Sequence, residues 1–460
     1  MSTEHSHASA ADRARAARLL NRVLTEGRTL DQLEPDAPLS PLVRELLYGA
    51  ARHAYSLSYR CAALLKRPLK ARDSDLWALL LIGAYQLLHT NVPAHAALNE
   101  TVHATRLLKK PWARGLINGC LRTIAGNAEQ PNPAALDTLP RNGAATRDEA
   151  RFELPQWLIK RLQVEYGTAF PRLAEALAGR APMTLRVAPG QRDALARALN
   201  DHGRHWRTPY GEDSATWILD QPLPVAALPG HAEGCFSVQD AGAQLGQRVL
   251  DELLHHCDSS AATGTHLHWV DACAAPGGKL CHALERWQAR PHQVTAFEVS
   301  ESRAAHLHRE LSRLRLPGAA TTLDVQTADA RDQAASWSQK PVDLVLLDAP
   351  CSGTGTLRRH PDIRLLASSD ALTEHQATQQ TLLTALASIV RPGGALLYAT
   401  CSLLEEENDG VVGTFLEQHD DWRTTAIELP TGNPRRHGWQ LTPIDPDTDG
   451  FYYAALVKLH

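Results

Sequence analysis

From Asp240 onward the chain alternates short apolar runs with longer amphipathic ones, and no other feature restricts its fold as strongly. The apolar runs fall near Leu267–Ala272, Val294–Glu298, Leu323–Thr327, Leu344–Asp348, Leu396–Ala399 and Phe451–Val457. Helical periodicity separates most of them, as in Arg303–Leu314 and Ala371–Val390. Strands divided by helices form a parallel sheet covered on both faces. The fold class predicted here is α/β, doubly wound and Rossmann-like. In such a sheet, ligands and chemistry gather at the carboxyl ends of the strands.

The rest of the chain reads differently. A length of 460 residues implies two to four domains. Residues 11–126 are predicted all-α, with apolar residues recurring at three and four, as in Leu76, Leu79, Leu80 and Gly83. Residues 1–10 read as a disordered tail. A polar stretch rich in Pro and Gly marks a linker over 127–149, and 150–239 reads as a small α+β module before the catalytic region, 240–460. Within the module, helices are predicted at Trp157–Tyr166 and Gln191–His202 and strands at Met183–Val187 and Thr216–Leu219. The greasiest segment, Leu76–Leu88, is too short to span a bilayer and contains Gly83, Tyr85 and Gln86, so it reads as a buried helix. With no apolar leader at the N-terminus, a cytoplasmic protein without a membrane partner is expected. The eight cysteines are scattered without a CxxC pair, so neither a zinc site nor a disulfide framework is indicated. Residues 1–145 carry 18 Lys and Arg against 12 Asp and Glu, leaving a net charge of −10 on the remainder of a chain whose total is −4. A basic helical lobe beside an acidic one fits a polyanionic partner, or simply an Arg-rich solvated surface.

Five of the strand ends carry candidate chemistry. After the first comes Asp271-Ala272-Cys273-Ala274-Ala275-Pro276-Gly277-Gly278-Lys279, a small-residue turn opening a helix, where a ligand can approach the backbone. Its spacing is not that of a nicotinamide-dinucleotide loop. The second strand ends at Glu298, where an acid accepts from ribose hydroxyls in such folds, and Asp329 follows the third, where it can accept from an adenine amino group. Cys351 follows the fourth strand in Asp348-Ala349-Pro350-Cys351, and Cys401 follows the fifth in Thr400-Cys401-Ser402. Two thiols at one sheet edge fit a cysteine mechanism with two roles, or two inert buried residues. Arg358-Arg359-His360 reads either as a phosphate-binding cluster or as a solvated loop. Glu405, Glu406 and Glu407 read as dipole-complementing acids opening the next helix, with no chemistry assigned.

Taken together, Asp271–Lys279, Asp348–Gly355, Arg359–Asp362 and Thr400-Cys401-Ser402 resemble the RNA cytosine-C5 methyltransferases of the Nol1/Nop2/Sun family over nearly the whole chain. Pro93–Glu100 and Leu116–Gly119 resemble the NusB all-α RNA-binding fold. The sequence departs from the family pattern at Glu298, where Asp is more frequent, at Ala328, where Gly is frequent, and at Ala188, where Asn is common. The resemblance implies S-adenosyl-L-methionine as cofactor, with Cys273, Ala274, Ala275, Pro276, Gly277, Gly278, Lys279, Glu298, Asp329 and Asp348 as the contact set. It implies no metal.

Carbon 5 of cytosine is a poor nucleophile until a thiolate adds to carbon 6. By the resemblance, Cys401 is that nucleophile and Cys351 assists product release. Asp348 binds or activates the N3/N4 edge of the base, and Lys279 supports, at the methionine carboxylate or near a cysteine. The target base must be unstacked to react. The NusB-like lobe favours small-subunit ribosomal RNA, with no obligate protein partner evident. Transfer RNA is the runner-up substrate. A DNA cytosine methyltransferase with a Pro-Cys nucleophile would leave Thr400-Cys401-Ser402 unexplained, so no DNA partner is expected. A non-catalytic RNA-binding or antitermination factor is the alternative from another class.

Overall fold

The computed structural model describes residues 2–33, 39–126, 145–212, 214–260, 266–337 and 341–459. Most of the expected linker, 127–144, lies outside the described residues. The chain forms two compact units, residues 1–179 with 357–368, and residues 180–356 with 369–460.

The first unit is helical. Helix Ser74–His89 is apolar on nearly every side, and Leu76 and Ala78 through Gln86 are buried, as expected of a helix that packs on several neighbours. Helices Ser2–Glu26, Pro41–Arg52, Ala94–Leu107 and Arg114–Gly126 surround it. Gly83 is needed there, since a Cβ would meet Leu121 Cδ1 at 2.7 Å. The N-terminal segment read as a disordered tail is instead the start of helix Ser2–Glu26. Its Ala-rich continuation sustains the helix, and the polar opening residues carried no apolar periodicity to reveal it.

Residues 357–368 pack in this unit, although the chain on either side belongs to the other. Arg364 anchors the segment. Its guanidinium is fully buried and donates to the carbonyls of Arg52 (3.0 Å), Glu153 (2.9 Å), Leu177 (3.0 Å) and Leu357 (3.2 Å). Burial lowers its pKa to about 10, with Glu153 acting in the opposite sense. Asp362 accepts from the Leu30 N–H at 2.9 Å, and Arg52 donates to the carbonyl of Arg358. Of the run Arg358-Arg359-His360, Arg358 is buried, while Arg359 and His360 keep partial exposure.

The second unit begins with an antiparallel sheet of β1 (Thr184–Val187), β2 (Trp206–Arg207), β3 (Thr216–Leu219) and β4 (Phe236–Val238), in the order β2-β3-β1-β4. The main sheet contains β5 (Leu267–Asp271), β6 (His292–Phe297), β7 (Thr321–Gln326), β8 (Val342–Asp348), β9 (Val390–Thr400), β10 (Trp422–Thr425), β11 (Asn433–Pro434), β12 (Trp439–Leu441) and β13 (Phe451–Lys458). Strands β9-β8-β5-β6-β7 are parallel, as predicted. The far edge is not: β13 runs antiparallel to β9, with β12 and β10 antiparallel to it. No long helical pattern precedes Phe451, so the chain returns to the edge without a crossover and must enter antiparallel.

Strand β8 feeds both faces of this sheet. Leu344 and Leu346 pack into one core and Val345 and Leu347 into the other, which is why its sequence is a continuous apolar run. Strand order reverses between β5 and β8, creating the crevice where such sheets bind ligands. No helix among the described residues is long and apolar enough to cross a membrane.

Replacing Arg364 with Met keeps much of its volume but leaves four buried carbonyls without their donor. Urea unfolding of the full chain is expected to show a loss of about 3 kcal/mol. A loss under about 1 kcal/mol would show that the carbonyls find other donors.

Candidate active site

The turn after β5 is held from both ends. Asp271 Oδ1 accepts from the Cys273 N–H at 3.3 Å, and the Ala274 N–H donates to the carbonyl of Phe297 at the end of β6. Gly277 has φ +107°, and a Cβ there would meet Leu307 Cδ1 at 2.8 Å, so the turn requires glycine twice over. Helix Gly278–Arg286 then begins. The carbonyl of Gly278 accepts from Arg186 of β1 at 2.8 Å, and Arg186 also pairs with Glu285 at 2.9 Å. The antiparallel module thus holds the turn from outside.

A cleft opens at the switch point, where such sheets bind ligands. It brings together Cys273, Glu298, Asp329 and Asp348 from the ends of four strands. Glu298 is almost wholly buried and accepts from the Ser300 N–H at 2.9 Å. Asp329 caps helix Ala330–Ala335 and pairs with the Arg331 guanidinium, which lowers its pKa. Burial raises the Cys273 thiol pKa well above its ordinary value.

The other members of the expected contact set lie elsewhere. Ala274 and Ala275 are packed into the core. Pro276, Gly277 and Gly278 line a second cavity with Arg186 and Arg313. The turn presents its walls in two directions, which a linear motif does not reveal. Lys279 reaches neither cysteine in any hydrogen bond of the described residues; its Nζ donates to Asp348 Oδ2 at 2.6 Å.

The two thiols meet. Cys351 Sγ and Cys401 Sγ are 3.4 Å apart. The hydrogen bond to Cys401, and then burial, raise the Cys351 pKa well above its ordinary value. Backbone contacts hold the two loops together: the Gly355 N–H donates to the Cys401 carbonyl at 2.9 Å, and Gly355 accepts from the Gly450 N–H at 2.9 Å. A Cβ on Gly355 would sit 2.2 Å from the Gly450 oxygen, so only glycine permits that approach.

Two acids were not foreseen. Asp271 is fully buried, and burial followed by the charge of Asp348 pushes its pKa up to about 8. Glu407 lies in a 3-10 turn, Glu405–Glu407, ahead of helix Asp409–Gln418. It does not complement a dipole at the surface: it is fully buried and bonded to Ser352 and Ser402, the neighbours of both cysteines. The available signal was that pair of hydroxyls, each needing an acceptor once its loop is buried. Among the described residues, no group of three or more His, Cys, Asp or Glu could hold a metal ion.

Fold and site together define a Rossmann-type methyltransferase with a thiol pair at the sheet edge. Residues 262–457 match the family described as 16S rRNA methyltransferase RsmB/F, residues 10–126 the NusB family, and residues 154–226 the RsmF/B-like ferredoxin-like domain. The chain is 37% identical to ribosomal RNA small subunit methyltransferase B of Pseudomonas putida, over 97% of this chain and 98% of the relative. It is 38% identical to the protein of that name from Salmonella paratyphi B, over the same shares. The crystal structure of PH0851 has a TM-score of 0.77 at 22% identity, covering 97% of this chain and 99% of that one. NSun6 from Pyrococcus horikoshii, solved with SFG, has a TM-score of 0.56 at 18% identity, covering 66% and 98%. At those identities the two structures show likeness of fold alone. The chain belongs to the ribosomal RNA small subunit methyltransferase B family, with a NusB lobe and a ferredoxin-like module joined to the methyltransferase domain.

The raised Asp271 pKa has a consequence for stability. The folded state holds a proton that the unfolded chain has released between the ordinary Asp range and about pH 8, so stability falls as pH rises through that window. Asp271→Asn mimics the protonated acid and keeps an oxygen for the Cys273 N–H. Thermal melts are expected to lose less between pH 5 and pH 8 in Asp271→Asn than in the parent chain. Parallel curves would refute a neutral Asp271.

Proposed function

We propose that this chain transfers a methyl group to carbon 5 of a cytosine in 16S ribosomal RNA, with Cys401 as the covalent nucleophile. The observation that carries this reading is the pair of thiols, 3.4 Å apart, beside a Lys279–Asp348 pair at the switch-point cleft. S-adenosyl-L-methionine, when bound, supplies an electrophilic methyl group. The residues present fit it: Glu298 offers a buried carboxylate to the ribose hydroxyls, Asp329 borders the same cleft, and Asp348 closes it towards the thiols.

The cysteines have unequal environments. Cys351, with its raised pKa, keeps its proton. Cys401, the other member of the pair, adds to carbon 6 and moves an electron pair to carbon 5, which takes the methyl group. Water then takes the carbon 5 proton, the C–H electron pair re-forms the 5,6 double bond, and the bond from carbon 6 to Cys401 Sγ breaks with its electron pair returning to sulfur. Cys351 stands next to the departing sulfur and assists its release. Asp348, held by Lys279, accepts from the 4-amino edge of the cytosine and orients the base. Lys279 acts through Asp348 rather than on a thiol.

In this reading residues 11–126 bind RNA, 150–239 form the module that braces the cofactor turn, and 240–460 catalyse. A flipped or single-stranded cytosine is the required substrate form.

Cys401→Ala is expected to abolish transfer of labelled methyl to a 16S RNA transcript while cofactor binding persists. Cys351→Ala is expected to accumulate a covalent protein–RNA adduct, seen as a retarded band on a denaturing gel. An adduct that accumulates in Cys401→Ala instead would reverse the two roles. RNA affinity of the full chain is expected to fall as salt rises, and salt-independent binding would contradict the phosphate-contact reading.

A further inference from the structure

We propose that Glu407 is the positioning residue that holds the two cysteine loops in reacting register; the proposal rests on the two-cysteine reading above. The carboxylate is fully buried and receives four donors. Oε1 accepts from the Ser352 N–H at 2.8 Å and from Gln379 Nε2 at 3.1 Å. Oε2 accepts from the Ser352 hydroxyl at 2.5 Å and from the Ser402 hydroxyl. Ser352 directly follows Cys351, and Ser402 directly follows Cys401. One carboxylate therefore bridges the two loops at the residue next to each thiol.

The surroundings extend the clamp. Gln379 Nε2 also donates to the carbonyl of Pro350, the residue before Cys351, at 2.9 Å. The Ser402 oxygen accepts from the Leu404 N–H at 3.1 Å. Asn408 accepts from the Thr400 hydroxyl at 2.6 Å and donates to the Ser402 carbonyl at 3.1 Å, holding the other side of Cys401. Tyr398 donates its hydroxyl to the Glu407 carbonyl at 2.7 Å, which ties the turn back to β9. These bonds end on residues flanking one cysteine or tie the turn to the strand that delivers Cys401, and Asn408 also donates to Gln440 Oε1 at 2.9 Å.

A carboxylate is the group that fits, because an ionised carboxylate only accepts and has about four lone-pair sites. An amide at this position would place an NH₂ group where two of the four donors now point. Hydrogen bonds to an ionised acceptor are also the stronger kind, so the cost of the buried charge is met by the donors that it orders. Neither thiol hydrogen-bonds to Glu407 among the described residues. It acts on their spacing and direction, through the serines, and touches no reacting atom.

The test is Glu407→Gln in the full chain, with labelled methyl transfer to a 16S RNA transcript. The variant is expected to lose about 100-fold in kcat while KM for RNA and for cofactor stays within about three-fold, because displacement by an ångström costs rate rather than binding. Single-turnover formation of the covalent adduct, read in the Cys351→Ala background, is expected to slow by the same factor. Ser402→Ala is expected to reduce kcat in the parent chain and to add nothing in Glu407→Gln, since both act through one contact. Unchanged cofactor binding and thermal midpoint separate positioning from unfolding. Should Glu407→Gln fail to fold, Ser352→Ala and Ser402→Ala decide on the same readouts. A kcat within about two-fold of the parent in whichever variant is decisive, with Cys401→Ala inactive, overturns the positioning role and leaves the two-cysteine reading standing. Turnover by Cys401→Ala overturns that reading itself.

Discussion

The parallel pairing of β8 with β9 is the constraint on which the site depends. After a shift between Val342 and Leu344, the register runs unbroken from Leu344 opposite Ala395 to Asp348 opposite Ala399. Both cysteines lie past the last pair of that ladder, Cys351 by three residues and Cys401 by two. The carbonyl of Ala399 accepts from the Ala349 N–H at 2.8 Å, so the pairing continues one step beyond the strand proper. A one-residue slip would turn every side chain of β9 to the opposite face. Ala395, Leu397 and Ala399 share one core with Cys401 packed against it, while Leu396 and Tyr398 point into the other. Burial on both faces makes slippage expensive, and the placement of a thiol inherits that precision.

The charges at this edge are arranged around the same ladder. Asp271 and Asp348 end strands three places apart in chain order, and adjacent in space through β5 and β8. Two like charges so close in a buried setting disfavour joint ionisation. Here the conflict is resolved by location: Asp271, fully buried, keeps its proton to about pH 8, and Lys279 pairs with the more exposed Asp348. The carboxylate that faces the cleft is the one with the cation. Asp271 serves the turn instead, by accepting from the Cys273 N–H.

Much of this was legible in the sequence. Apolar runs buried on both faces marked β5, β6, β8 and β9, and the small-residue turn after β5 marked the ligand edge. The periodicity of Leu76–Leu88 marked the buried central helix. What escaped detection shares a physical cause. Glu407, Arg358 and Arg364 are charged residues in short irregular segments, and composition places such residues at the surface. Their burial is decided by partners distant in sequence: Ser352 is 55 positions from Glu407, and Arg52 is 312 from Arg364. Periodicity cannot register a contact of that kind. The antiparallel return of β13 escaped for a related reason, since pairing direction depends on the connection and not on the strand's own pattern.

The two cysteines at this edge stand 3.4 Å apart in unequal surroundings. In this structure the enclosed sulfur is Cys351, behind Pro350 and next to Glu407 and its ring of donors. Cys401 sits at the end of the longest strand of the sheet, with its backbone held by Gly355 and its neighbours by Asn408. A nucleophile benefits from rigid placement and a proton-holding partner from enclosure. In the mechanism proposed above, the two strand ends supply those conditions separately.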